Sequence, residues 1–296
     1  MEYSIVAPVC SIDEIEPILR AGANEVYFGI MTKEWMDKYG NADFISRRQS
    51  ELSHFATYED LSGIVSRVNE HHGMATLALN SRYSERQLPY IFEILEQWEA
   101  RGGHSVMVAD IELLIWLHDR RSKLKKQLSV MAGIFNSNSV AFFERFHISR
   151  MVLPRELSVE EMGKLIENTD KKLEYEAIVM FQKCQYVDSF CHFSHFCNME
   201  HGCQMEFLCD GIKVKNVDNN DLKTPFCAGC SLKRLLNAGV RHFKIAGRGY
   251  PVEWIVHSIK FIRQILENDF HQPDVIQRRY KSVFGSNCSP KNCYYP

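Results

Sequence analysis

The sequence predicts an α/β protein with the architecture of a TIM barrel, a closed ring of eight βα units. Short runs rich in β-branched and aliphatic residues alternate with amphipathic helical stretches, and the 296 residues contain eight such runs. The sequence contains no GxGxxG or Walker A motif. Because an open doubly wound sheet usually has fewer strands and a glycine-rich nucleotide loop, the pattern favours a barrel.

The eight predicted strands comprise residues 3–7, 25–29, 74–79, 105–109, 127–132, 150–153, 175–181 and 241–245. Ser11 and Ser158 are each followed by a glutamate three residues later, which predicts a capping box at the start of a helix. Four glycines near predicted helix ends can adopt the positive φ that ends a helix, namely Gly22, Gly73, Gly103 and Gly239.

Composition and charge argue against a membrane-spanning or strongly basic protein. The chain is 45% hydrophobic and 24% charged, with a net charge of -2. It has no apolar run of 18 residues and its first residues do not resemble a secretory signal, so we expect a cytoplasmic protein with reduced thiols. The one dense cationic run, residues 120–126, indicates either a solvated helix end or a surface for RNA.

Seven of the ten cysteines lie within residues 184–230, between the seventh and eighth predicted strands. We therefore predict a cysteine-rich insertion, residues 182–230, at the carboxyl end of the barrel, where barrel enzymes have their active sites. An iron–sulfur cluster, a zinc site and spare thiols are all compatible with the spacing, since only Cys227 and Cys230 form a C-x2-C pair. His192, His195 and His201 lie in the same stretch, either as ligands or as surface residues.

The last residues differ in composition from the rest of the chain. We predict that residues 1–270 form the barrel with its insertion and that residues 271–296 form a polar tail. Cys288 and Cys293 in this tail could bind a separate metal or form an intermolecular disulfide, although a disordered tail with two idle thiols is the simplest expectation.

Several segments resemble the collagenase-like peptidase U32 family. Residues 4–8 (SIVAP) and 21–29 (AGANEVYFG) are similar to its amino-terminal signature, and Asn80 and Asn136 match asparagines that follow family strands. Residues 150–158 (RMVLPRELS) and 237–248 (NAGVRHFKIAGR) are similar to two further family motifs. The resemblance extends over about residues 1–269.

The resemblance implies a cofactor and a chemistry. Family members are oxygen-independent hydroxylases that act on a ribosomal cytidine, a transfer-RNA uridine or the ubiquinone ring. They carry a 4Fe-4S cluster on four cysteines, and for some of them prephenate is the implied oxygen donor. Matched by position, the implied ligands are Cys184, Cys191, Cys203 and Cys227, with Cys209 as the reserve for the third position.

The chain departs from the family pattern in ways that affect the substrate. Residues 181–191 replace the segment around the first two ligands, and the segment that normally precedes the third ligand is missing. Ala246 replaces a usual glutamate, and Cys10 occupies the place of a glycine in the first loop. These changes are compatible with cluster binding, but they mean that the substrate can differ from those of the family.

Positively charged residues at predicted strand ends are candidates for binding the substrate. Arg155 could hold a carboxylate of prephenate with its guanidinium fork, or could form a structural ion pair with Glu156 or Glu176. Lys244 and Arg248 are predicted to form a second cationic pair on the same rim, although Arg248 could equally cap the following helix or contact solvent.

Uncharged residues at strand ends are further candidates. Asn80 and Asn136 could orient a polar substrate or form Asx turns, and Tyr27 could contact the substrate or pack at the rim. Cys10 is expected to face the same mouth, without an assignable role.

We therefore predict an iron–sulfur protein that supports oxygen-independent hydroxylation, or related redox chemistry, of a small aromatic or quinone-type molecule. It could form a homo-oligomer or a hetero-oligomer with a related U32 subunit. An RNA-base hydroxylase and a non-catalytic cluster-carrying subunit are the alternatives. A peptidase is less expected, because neither an HExxH nor a GxSxG motif is present.

Overall fold

Eight parallel strands close into a barrel in the computed structural model, which describes residues 3–40, 45–47, 53–184, 187–190, 207–214, 225–268, 270 and 272–295. Around the barrel the strand order is β1-β10-β7-β6-β5-β4-β3-β2. The barrel strands are β1 (Ser4–Pro8), β2 (Glu25–Phe28), β3 (Met74–Leu79), β4 (Ser105–Val108), β5 (Lys125–Leu128), β6 (Ile148–Val152), β7 (Glu174–Met180) and β10 (His242–Ile245). The predicted TIM barrel is confirmed.

Helices cover the outside of the barrel and connect its strands. They are α1 (Ile15–Arg20), α2 (Lys33–Tyr39), α3 (Tyr58–Glu70), α4 (Leu88–Ala100), α5 (Ile111–Asp119), α6 (Ser137–Glu144), α7 (Val159–Glu167), α8 (Leu232–Asn237), α9 (Val252–Glu267) and α10 (Pro273–Phe284). A short antiparallel hairpin, β8 (Phe207–Cys209) and β9 (Ile212–Val214), lies between the seventh and eighth barrel strands along the chain.

Two local predictions differ from the structure because side chains near the strand ends bind the backbone. The fifth strand ends at Leu128, and Val130–Ala132 is a 3-10 helix whose first turn is capped by the Ser129 hydroxyl. The Ser11 hydroxyl forms no cap, whereas the Glu14 carboxylate accepts hydrogen bonds from the backbone amides of Ser11 and of Cys10, the latter at 2.7 Å. The capping box at Ser158 is confirmed.

The predicted glycine stops are confirmed at Gly22 and Gly239, which have φ of 109° and 106°. At the other two helix ends the left-handed residue comes one position earlier, at His72 and Gly102. The helix therefore ends where predicted within one residue, although the residue that reverses the chain differs.

The carboxyl-terminal residues pack against the barrel, so the expectation of a disordered tail is wrong for residues 272–295. Ile276 and Tyr280 of α10 are buried, and the Tyr280 hydroxyl donates to the Pro225 carbonyl at 2.6 Å. Tyr294 and Tyr295 are also buried. Apolar side chains spaced along an otherwise polar helix are sufficient to attach it to the core.

The inside of the barrel contains a layer of charged and polar side chains. Arg150 of β6 reaches across to Glu25 of β2 at 2.7 Å and also contacts Glu176 of β7 at 3.1 Å. Lys244 of β10 lies 3.0 Å from the other Glu176 oxygen, and Gln127 donates to Glu25 at 3.0 Å. Since β2 and β6 are not neighbours, these contacts cross the lumen.

The ionisation of this layer is set by burial and by its pairings. Burial disfavours the Glu25 carboxylate, but the Arg150 charge and hydrogen bonds from Thr76 and Gln127 outweigh it, so the pKa of Glu25 is lowered. Burial lowers the pKa of Lys244 in spite of Glu176. Each charge has an opposite partner in the layer, which is what keeps buried charges tolerable.

The cationic run 120–126 connects α5 to β5 and continues into that strand, where Lys126 is buried. Arg120 follows the end of α5, pairs with Glu96 at 2.9 Å and lies over the Trp116 ring. Lys125 begins β5, so the run lies at the amino end of the barrel. No helix among the described residues is long and apolar enough to cross a membrane.

Candidate functional site at the carboxyl end of the barrel

Two cysteine-bearing segments meet at the carboxyl end of β7. The chain leaves β7 toward Cys184 and returns beside it, since Met180 and Cys227 form an antiparallel bridge. The Phe181 amide donates to the Phe226 carbonyl at 2.9 Å. Of the four implied ligands, Cys184 and Cys227 therefore lie at the same end of one strand.

Most of the other predicted ligands lie in segments that the structure does not describe. Cys191 and Cys203 lie outside the described residues, as do Cys197, His192, His195 and His201. Cys209 is the last residue of β8. The ligand assignment thus stays a prediction.

The Cys184 thiol lies in a buried and negatively charged environment. Burial, followed by the charge of Asp188, raises its pKa to about 12, and Arg155 partly opposes the effect. A hydrogen bond to the Asp188 carboxylate acts in the same direction as burial, because it favours the protonated thiol. The unligated thiol is accordingly protonated at neutral pH.

Cys227 is buried more deeply, with 6% of its surface exposed. Burial raises the pKa of its thiol, while the Gly229 amide donates to its sulfur at 3.1 Å and acts in the opposite direction. A Cβ at position 229 would lie 3.1 Å from this sulfur and equally close to Ile276 and Phe261. The absence of a side chain at Gly229 is therefore what lets the amide approach the sulfur.

Arg155 forms its ion pair with Asp188, so both of the predicted structural partners, Glu156 and Glu176, are wrong. Its Nε donates to Asp188 Oδ2 at 2.8 Å, a second guanidinium nitrogen contacts Oδ1, and Nη1 donates to the Gln182 carbonyl at 2.7 Å. Burial disfavours the Asp188 carboxylate, but Arg155 outweighs it, so the pKa of Asp188 is lowered. Asp188 was not found from the sequence, since nothing around it resembles a motif.

Lys244 and Arg248 both lie near the Tyr27 ring. The Lys244 ammonium is 4.1 Å from the ring centre and points into the barrel. The Arg248 guanidinium is 5.9 Å from the same ring centre. The Tyr27 hydroxyl donates to the Ile245 carbonyl at 3.0 Å. Lys244 is thus part of the interior layer through its contact with Glu176, instead of forming a pair with Arg248 on the rim.

Arg248 also belongs to a buried group that the sequence did not reveal. Its Nη2 donates to the Ser46 hydroxyl at 2.9 Å, and that hydroxyl lies 3.0 Å from His54 Nε2. A Cβ on Gly29 would collide with both Arg248 and His54, at 2.2 and 2.6 Å. These residues come from separate segments, so only the fold brings them together.

The two asparagines have structural partners. The side-chain oxygen of Asn80 accepts a hydrogen bond from the backbone amide of Arg47 at 3.1 Å. The side-chain amide of Asn80 donates to the Ser129 hydroxyl at 3.3 Å. Asn136 is the N-cap of α6 and accepts from the Ser139 amide at 2.9 Å. Asn136 therefore has a local structural role as a helix N-cap, where an Asx turn was the alternative to substrate binding.

Cys10 connects the end of β1 to the loop after β10. Its sulfur accepts a hydrogen bond from the Gly249 amide at 3.0 Å. The contact gives Cys10 a structural partner in that loop.

A pocket of about 590 Å³ adjoins Cys184. It is lined by Arg155, Glu156, Leu157, Ser158, Val159, Glu161, Lys183, Cys184, Val187, Tyr294 and Tyr295. The Lys183 ammonium donates to the carbonyls of Cys293 and Tyr294 at 3.2 and 2.8 Å, and burial lowers its pKa. The volume of the pocket and its mixture of aromatic, aliphatic and charged side chains are typical of a small-molecule site.

In the part of the chain that the structure describes, no three histidine, cysteine, aspartate or glutamate side chains converge as a ready metal site.

Residues 10–290 match the model of peptidase family U32. The chain belongs to this family.

Two U32 relatives define how far the similarity extends. The protein named collagenase from Porphyromonas gingivalis is 22% identical over 292 residues, covering 90% of this chain and 66% of the relative, so the chain spans just under two thirds of that protein. A solved structure described as a U32 peptidase has a TM-score of 0.55 and 13% identity, covering 84% of this chain and 94% of the other. At 13% identity, this similarity shows a shared fold and nothing more specific.

Proposed function

We propose that this U32 protein is a redox enzyme with a 4Fe-4S cluster at the carboxyl end of its barrel. It would support oxygen-independent hydroxylation, or a related redox reaction, of a small aromatic or quinone-type molecule. The observation that carries the proposal is the meeting of Cys184 and Cys227, from separate segments, at the end of β7 next to a pocket of small-molecule size.

The thiols at this end of the barrel fit a cluster in their chemistry. Burial keeps both thiols protonated without a metal, whereas coordination removes the proton and spreads the charge onto the metal. The Gly229 amide that donates to the Cys227 sulfur is the type of contact that tunes the potential of a cluster. Cys191 and Cys203 would complete the set that the resemblance implies.

The residues around the pocket would bind and orient the substrate. Tyr294, Leu157 and Val187 offer flat and aliphatic surfaces for a ring, and Lys183 offers a positive charge. When bound, the cluster would supply electron transfer or activation of an organic oxygen donor such as prephenate.

A dianion such as prephenate would have to compete for the pocket's arginine. The Arg155 fork is already bound by Asp188, so a substrate carboxylate would replace Asp188 at this guanidinium. Displaced from Arg155, Asp188 would lose the positive charge that lowers its pKa, and substrate binding would thereby change the electrostatic environment of the Cys184 sulfur.

Anaerobic purification of the full chain tests the proposal. We expect a brown protein with about four irons and four sulfides per chain. A colourless protein that contains zinc or no metal after anaerobic reconstitution with iron and sulfide would overturn it. Mass spectrometry of small molecules co-purified under the same conditions would then identify the substrate class.

Peptide hydrolysis is a second candidate because of the Ser46–His54 pair. The Ser46 side chain is completely buried, and its oxygen accepts a hydrogen bond from Arg248, which makes it a weaker nucleophile. Gelatin hydrolysis by the wild type that is abolished in Ser46→Ala would favour this activity over the redox proposal.

RNA modification and an accessory role are less supported alternatives. The cationic run 120–126 lies at the amino end of the barrel, opposite the pocket, so an RNA held there would not reach Cys184. Salt-dependent binding of RNA that is lost on removal of these charges would restore that alternative. Activity only in the presence of a second U32 subunit would indicate the accessory role.

A further inference from the structure

The carboxyl-terminal segment brings two more cysteines to Cys227. The Cys227 amide donates to the Asn292 carbonyl at 2.9 Å, and the Tyr294 amide donates to the Cys227 carbonyl at 3.0 Å. These bonds pair Cys227 with Cys293 in parallel register. Paired residues in a parallel arrangement direct their side chains to the same face, so the two thiols lie on one side of the backbone.

Cys230 and Cys288 lie close to this pair. Cys230 belongs to the 3-10 turn Gly229–Ser231, and Cys288 precedes the 3-10 turn Pro290–Asn292 that ends just before Cys293. After burial, the neighbouring thiols of Cys288, Cys230 and Cys293 raise the pKa of Cys227. Burial and then Cys288 and Cys293 raise the pKa of Cys230 to about 11, so each C-terminal thiol acts on both members of the C-x2-C pair.

Other contacts hold the carboxyl-terminal segment in this place. The Tyr295 hydroxyl donates to the Ile178 carbonyl at 3.0 Å, and the Ser231 hydroxyl donates to the Tyr295 carbonyl at 2.8 Å. Lys183 binds the carbonyls of Cys293 and Tyr294 from the other side. The backbone that carries the thiols is therefore fixed before any metal arrives, which reduces the entropy lost on binding.

We propose that Cys227, Cys230, Cys288 and Cys293 form a four-thiolate site for a thiophilic metal, closed by the carboxyl-terminal segment. The set consists of a C-x2-C pair and a C-x4-C pair, which together supply the four sulfur ligands that zinc or an iron–sulfur cluster requires. The thiols are free and do not yet converge. A change of χ1 rotamer would turn a sulfur toward the others without moving the paired backbone.

Binding would be linked to proton release. Each thiol that becomes a ligand gives its proton to solvent, so affinity rises with pH until all four are ionised in the complex. No electron transfer is needed for this step when the metal is zinc.

This site goes beyond the proposed function, and Cys227 belongs to both ligand sets, which compete for it because one thiolate cannot complete both sites at once. Substitution of Cys227 therefore does not separate them. Substitution of the other members separates the two sets. Cys191 and Cys203 belong only to the set implied by the family resemblance, and Cys288 and Cys293 belong only to the C-terminal set.

The experiment compares two double variants of the full chain, Cys191→Ser/Cys203→Ser and Cys288→Ser/Cys293→Ser, with Cys10→Ser as the matched control. Each is purified anaerobically, and zinc, iron and sulfide are measured per chain. We expect the C-terminal double variant to lose about one equivalent of zinc or one cluster, while the control and the other double variant keep it. Circular dichroism during heating verifies that each variant is folded.

The outcomes distinguish this inference from the proposed function. Unchanged metal content in the C-terminal double variant overturns the four-thiolate site, whatever happens to the other variant. Loss of metal, whether zinc or iron, only in Cys191→Ser/Cys203→Ser overturns it and supports the implied cluster ligands. Wild-type protein that binds neither zinc nor iron overturns both proposals.

Cobalt titration and Gly229→Ala give an independent test. Cobalt bound by four thiolates has an intense sulfur-to-metal charge-transfer band, which we expect in the wild type and in Cys10→Ser but not in the C-terminal double variant. A Cβ at position 229 presses on the Cys227 sulfur, so Gly229→Ala should release cobalt to a chelator several-fold faster. The wild-type band retained in the C-terminal double variant would overturn the site.

Discussion

The barrel interior and its carboxyl-terminal mouth each contain a buried arginine paired with carboxylates, yet the two regions differ in what surrounds the pair. Arg150 binds Glu25 and Glu176, all of them on barrel strands and closed off from solvent. Arg155 binds Asp188, on a loop that borders the pocket and carries a thiol. A buried ion pair by itself therefore indicates neither a structural nor a catalytic role, and the groups around it decide which of the two it has.

The largest expected effect is on the interior pair. Arg150→Met would leave Glu25 without its counter-charge and Glu176 with Lys244 alone, and breaking such a buried pair costs about 3–5 kcal/mol. Urea denaturation would measure the loss. Arg20→Met, which removes an exposed pair with Glu16, should cost less than about 1 kcal/mol. Similar losses for both variants would contradict the structural role of the interior layer.

A smaller and pH-dependent effect is expected at the mouth. Asp188→Asn should lower the free energy of unfolding by about 1.5–3 kcal/mol at pH 7, because hydrogen bonds to charged groups are lost. The pKa of Asp188 is lower in the folded state than the unfolded value of about 3.9. Its contribution is therefore complete above about pH 4 and is lost as the pH falls through the folded pKa.

Urea denaturation between pH 3 and pH 7 checks this sign. The difference between the wild type and Asp188→Asn should shrink toward the acid end, whereas Glu167→Gln on the exposed surface of α7 should change little at any pH. A difference that grows on acidification would contradict the assignment of Asp188 as the ionised partner of Arg155.

One hydrogen bond of the carboxyl-terminal segment should contribute less to stability than either ion pair. Tyr295→Phe removes one buried hydrogen bond to the Ile178 carbonyl, which is worth about 0.5–1.5 kcal/mol. Thermal unfolding would measure it, with Tyr39→Phe as the control because that hydroxyl bonds a carbonyl at an exposed position. No difference between the two variants would show that the tail is not anchored through Tyr295.

The smallest effect concerns reactivity at Cys184. Asp188→Asn removes the second-largest contribution to the raised thiol pKa, after burial, so the thiolate fraction should increase. Alkylation by iodoacetamide at pH 8 should become a few-fold faster at Cys184, as followed by peptide mass spectrometry. Cys10 in the same sample serves as the internal reference, and slower alkylation at Cys184 would contradict the role of Asp188.

Most of the fold was predictable from the sequence, because hydrophobic periodicity is local. All eight predicted strands correspond to barrel strands, and the capping box at Ser158 formed as predicted. The prediction failed at Ser129 and Glu14, where a side chain from a few residues away binds the backbone in a way that periodicity does not report. It also failed in the tail, where a few apolar side chains on α10 suffice to attach it.

The candidate site was less predictable, since its contacts join distant segments. The cysteines near β7 were found by their density along the chain, and membership of the U32 family is confirmed. The partner of Arg155, the inward direction of Lys244 and the capping role of Asn136 all depend on which residues meet across loops.

The sequence by itself determined the barrel, the family and the concentration of thiols after the seventh strand, because each of these is recorded in local patterns. Only the tertiary structure decided that the carboxyl-terminal segment pairs with Cys227 and places Cys293 beside it. More than sixty residues separate these cysteines along the chain, and hydrogen bonds between their backbones, which no periodicity encodes, bring them together.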